Sequence, residues 1–131
     1  MFLSELNYQQ RKIFLNLAKE ILVADDGVVD YQEEKYLRAL CAEMSLSFHD
    51  ELVVKKSELD NYFDKIEIKK IVLIELVGLS FSNQNYHKNQ ELYIKNICDI
   101  FGVSSDMLKN IEELLKQYQN IQNKIIEFVG E

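Results

Sequence analysis

Apolar residues recur along most of this chain at steps of three and four, the spacing that puts side chains on one face of an α-helix. Ile13, Phe14, Leu17, Ala18, Ile21 and Leu22 make the first such stripe and predict a long helix from Ser4 to about Ala24. Leu37, Leu40, Cys41 and Met44 predict a second. Ser47 is placed to cap a third, poorer helix through Leu52, Val53 and Leu59. The run that begins near Ile66 and includes Ile71 to Leu79 is apolar on nearly every side and predicts a fourth helix at the centre of a bundle. It is too short for a membrane span and carries Glu75 within it. Ile94, Ile97, Cys98 and Phe101 predict a fifth helix. Met107, Leu108, Ile111, Leu114, Leu115, Tyr118, Ile121 and Ile125 predict a long sixth, opened by Ser104 or Ser105.

The pattern therefore predicts an all-α fold, a compact bundle of about six helices in one domain covering residues 1–131. Proline is absent and glycine occurs only 4 times, so the usual interruptions of helices are nearly missing. The second and fifth stripes also match. Tyr36 to Cys41 aligns without a gap on Tyr93 to Cys98, 57 residues later (98 − 41), and the register extends from 17–47 to 74–104. Two internally related helical hairpins are expected, each burying its apolar face against the other.

Charge changes the picture at one place. Asp25, Asp26, Asp30, Glu33 and Glu34 lie between the first two helices with Gly27 and no basic residue. Carboxylates this dense repel one another unless a cation, a basic neighbour or a helix N-terminus stabilises them, and oxygen ligands suit calcium or magnesium before zinc. These five acids are the candidate metal ligands. On an EF-hand loop Asp26 would fall at position five, Gly27 at the glycine and Glu33 at twelve. Positions one and three would then be Leu22 and Ala24, so an ordinary EF-hand is excluded. The same residues also read as helix punctuation. Gly27 ends a helix, Asp30 and Glu33 have the spacing of a capping box, and acids favour a helix N-terminus. In the second hairpin the positions of Asp25, Asp26, Gly27, Asp30 and Glu33 hold Ser82, Asn83, Gln84, His87 and Gln90.

Leu17 to Lys19, Ala24 to Asp30, Glu33 and Leu37 together resemble the tellurite-resistance TerB-like domain. Its pattern is an alanine-aspartate-glycine turn with an acid seven residues beyond the aspartate, here Asp26 and Glu33, although an extra Asp25 precedes the aspartate. The resemblance covers most of the chain and implies an all-helical fold of related halves. It also implies a link to tellurite and chemical-stress resistance, kinship with the amino-terminal domain of membrane-anchored J-domain co-chaperones, and metal association through acids. It implies no enzymatic activity. Transferred by position, Asp26, Asp30 and Glu33 are the first candidates for a cation, with Asp25 and Glu34 as auxiliary charge.

The remaining chemistry is sparse. His87 and Glu91 are four apart, a spacing zinc ligands use, but two residues do not complete a zinc site. No nucleophile, base and orienter stand at informative spacing and no glycine-rich phosphate loop is present, so no enzyme is expected. A net charge of −7 argues against nucleic acid as the main partner. The start of the chain lacks a signal-peptide pattern, which leads to an expectation of a cytoplasmic protein with Cys41 and Cys98 as free thiols in apolar stripes. Tyr31, Tyr36, Tyr62, Phe63, Tyr86 and Tyr93 could line an aromatic groove for a protein partner. Two readings follow: a stress-linked binding module with a divalent cation at the acidic turn, or an interaction scaffold whose acidic turn only caps a helix.

Overall fold

The computed structural model describes residues 1–27, 29–81 and 88–130, without the side chains of Asp25 and Asp26. Among these residues there are six α-helices and no strand: α1 Tyr8–Asp26, α2 Tyr31–Met44, α3 Leu59–Tyr62, α4 Ile66–Phe81, α5 Lys88–Phe101 and α6 Ser105–Gly130. Short 3-10 turns occupy Leu3–Glu5 and Lys56–Glu58.

The first helix starts later than its apolar stripe suggests, and the reason is local. Asn7 accepts the Gln10 amide at 2.8 Å while the Gln10 side chain accepts the Asn7 amide at 2.9 Å. This reciprocal cap satisfies two amides that the helix cannot satisfy itself and fixes its origin. At the other end Gly27 takes a left-handed conformation, φ 84°, and its N–H reaches Val23 O at 2.8 Å.

The expected third helix from Ser47 is largely absent. Residues 51–55 have no regular structure, and only Leu59–Tyr62 is α-helical. The Ser47 amide donates to Asp50 Oδ2 at 2.8 Å and the Leu52 amide to Lys12 O at 3.0 Å. The first bond is of the kind that opens a helix at Asn7 and Gln10, but the second commits to another element a donor that a continuing helix would have used.

Helix α1 packs against α2, α4 and α5, and α4 also packs on α5 and α6, so α1 and α4 form the middle of the bundle. Phe14, Ile21 and Leu22 from α1 meet Val72, Leu73, Leu76 and Val77 from α4 in one fully buried cluster. Phe63 joins it edge-to-face with Phe101, ring centroids 6.0 Å apart. Full burial of such side chains stabilises by roughly 1.5–3 kcal/mol each against exposure, so this cluster is the main source of folding energy.

Helices α2 and α5 have the same length of 14 residues, and both their first and last residues are 57 apart. Their ends are closed alike. Ser45 and Gly102 are left-handed, φ 58° and 68°, and the next amides, Leu46 and Val103, each reach a cysteine carbonyl, Cys41 or Cys98, at 2.9 Å. Leu37, Cys41 and Met44 are buried in α2 as Ile94, Cys98 and Phe101 are in α5.

Candidate functional site

The acidic turn is built by the end of α1 and the start of α2. Asp30 is the N-cap of α2: its Oδ1 accepts the Glu33 amide at 2.8 Å, and Glu33 Oε1 accepts the Asp30 amide at 3.0 Å. Glu33 is buried, only 2 % exposed, and Asp30 is exposed. Glu34 turns along α2 and pairs with Arg38 at 2.8 Å. Asp30 and Glu33 are thus brought together as a cap, while Glu34 is directed to a basic neighbour one turn on. The side chains of Asp25 and Asp26 lie outside the described residues, as does Val28. Among the described residues no group of three or more His, Cys, Asp or Glu is placed to hold a metal ion.

Ser82, Asn83, Gln84, Tyr86 and His87, which the 57-residue register sets against the acidic turn, lie outside the described residues. Gln90 has a described place: it is fully buried, and its side-chain amide donates to Ile21 O at 3.4 Å. It stands at the third residue of α5, as Glu33 does in α2. Glu91 pairs with Lys95 at 2.9 Å.

Cys41 and Cys98 are free and buried. Burial pushes both thiols up from their ordinary value, Cys98 to about 11, which leaves them protonated and poorly nucleophilic near neutrality.

Among the described residues the predicted aromatics do not converge on one groove. Phe63 belongs to the core, Tyr62 and Tyr93 are half-buried, Tyr31 is exposed at the acidic turn, and Tyr86 is outside the described residues. Tyr93 donates its hydroxyl to Glu20 Oε1 at 2.7 Å, and Lys56 binds the same oxygen. Tyr36 reaches a cleft of about 370 Å³ between α4, α6 and α2. Ile74, Gly78 and Phe81 form its α4 wall, and Leu115, Tyr118 and Gln122 its α6 wall.

Beyond this cleft α6 continues with little cover. Every residue from 121 to 130 is exposed, including Ile121, Ile125, Phe128 and Val129, the last two 78 % and 77 % exposed. This apolar surface was present in the sequence as a regular stripe. Its exposure was not, because a stripe states which face is apolar and not whether a neighbour covers it.

Among the described residues no helix is long and apolar enough to cross a membrane. Comparison with protein-family models, with curated proteins and with solved structures yields no match.

Proposed function

We propose that the chain is a non-catalytic binding module that works through protein contacts on α6 and the adjoining cleft, with the acidic turn serving to cap α2. The observation that carries this reading is the uncovered apolar stripe of α6. Contiguous apolar surface of this kind is costly to leave in water and marks contact sites in soluble proteins. The link to tellurite and chemical stress rests on the resemblance of Ala24–Asp30, Glu33 and Leu37 to the TerB-like domain. A photo-crosslinking side chain at position 121, used in lysate of the source cells, tests the reading. Adducts of defined mass that are lost in Ile125→Asp are expected, and their absence would overturn it.

A divalent cation at the acidic turn is the second reading, favoured by the five carboxylates between positions 25 and 34. Calorimetric titration of metal-stripped protein with calcium, magnesium, manganese and zinc decides it. Saturable heat lost in Asp26→Asn/Glu33→Gln would establish a site. No heat at millimolar ion would leave the turn as a cap.

A further inference from the structure

The uncovered part of α6 has a more specific pattern than amphipathicity. Ile111, Leu114, Tyr118, Ile121, Ile125 and Phe128 follow one another at alternating steps of three and four, the seven-residue repeat of a helix that packs along another helix. Ile111 is buried in the bundle, and the seam emerges into solvent from Leu114 onward. We infer that this seam pairs antiparallel with the same seam of a second copy of the chain. The inference rests on the contact reading above and names its partner.

Three observations select a second copy. First, residues 118–129 carry one positive and one negative charge, Lys124 and Glu127, among Gln and Asn. Such a surface offers nothing to steer a strongly charged peptide, and it lacks the basic face with which interfacial helices hold anionic membranes. It meets itself without like-charge repulsion. Second, the seam is large enough. Tyr118, Ile121, Ile125, Phe128 and Val129 are between 46 % and 78 % exposed, so they offer on the order of 500 Å² per copy. Flanking glutamines and the cleft walls bring this near the roughly 800 Å² per partner of a standard stable interface. Third, the cleft is continuous with the seam through Tyr118. Packing Ile121 against Ile125 of the second copy brings that copy's Phe128 opposite Tyr118, beside Ile74 and Phe81.

Charge also selects the direction. With the seam neutral, the net −7 resides in the rest of the chain. A parallel pair would set two acidic bodies side by side. An antiparallel pair holds them roughly 18 Å apart along the helices at 1.5 Å per residue, beyond the ~8 Å Debye length at physiological salt.

Sedimentation equilibrium of the whole chain from micromolar to millimolar concentration tests the pairing. The mass is expected to rise from 15.4 kDa to twice that value. Ile125→Asp is expected to weaken association by on the order of 100-fold. Asn123→Asp, exposed on the side of α6 opposite the seam, is expected to leave it unchanged, and both variants should keep the helical circular dichroism of the parent. Oxidising an equimolar mixture of Ile121→Cys and Ile125→Cys chains should give mainly the mixed disulfide, whereas Ile121→Cys homodimers would overturn the antiparallel arrangement. A monomer at every concentration, or equal loss in Ile125→Asp and Asn123→Asp, overturns the inference. In that case crosslinks from position 121 to a different protein would leave the contact reading standing, and no crosslinks would remove both.

Discussion

Tyr93 on α5 donates its hydroxyl to Glu20 on α1 at 2.7 Å, across one of the two most extensive helix pairings among the described residues. Lys56 holds the same carboxylate from the 3-10 turn, so one oxygen joins three parts of the chain. Burial first, and the Glu20 carboxylate second, push the Tyr93 hydroxyl well above its ordinary value near 10. The unfolded chain therefore ionises this group at lower pH than the folded one. Its contribution to stability is complete below pH 10 and is lost as pH rises beyond it. Absorbance titration should show one of the seven tyrosines ionising only as the helices melt. Tyr93→Phe should abolish that late component and lower the unfolding free energy by about 1 kcal/mol.

Asp30 and Glu33 predict an asymmetric pair of mutants. Asp30→Ala leaves the Glu33 amide without its acceptor and should cost about 1 kcal/mol in denaturant unfolding. In Glu33→Gln an amide oxygen can still accept the Asp30 N–H, so the cost through the cap should be smaller. Equal losses in the two would show that Glu33 acts through more than the cap.

The same substitution should have opposite signs at two glycines. Gly78 is helical, and an added Cβ meets nothing within 4 Å, so Gly78→Ala should stabilise by about 1 kcal/mol through helix propensity. At Gly27 the space is equally open, but φ is +84°, so Gly27→Ala should destabilise by about 1 kcal/mol. Thermal melts of the two variants beside the parent check both.

Buried, protonated thiols predict slow chemistry. At pH 8 neither Cys41 nor Cys98 should react with an aromatic disulfide reagent faster than the protein opens, and both should react at once in denaturant. Rapid labelling of one thiol in the folded state would contradict its burial.

What the sequence determined by itself is what short-range bonding controls. The stripes of α1, α2, α4, α5 and α6 were legible because a helix makes its hydrogen bonds within four residues and shows its buried face as a period. The Asp30–Glu33 cap and the role of Ser104, whose hydroxyl accepts the Met107 amide at 3.2 Å, were legible for the same reason. The equal spans of α2 and α5 coincide with the 57-residue register for that reason as well. Other features depended on residues distant in the chain. Residues 51–55 fail to form a helix while Leu52 bonds to Lys12, and Glu75 inside the apolar α4 is accommodated because it accepts the Phe2 amide at 2.8 Å. Tyr36 reaches the cleft while Phe63 enters the core, a division that no local spacing records. The exposed seam is the clearest case. Ile111 and Ile125 lie on one stripe, but the bundle has helices enough to cover only the first, and burial is decided by which neighbours the tertiary packing supplies.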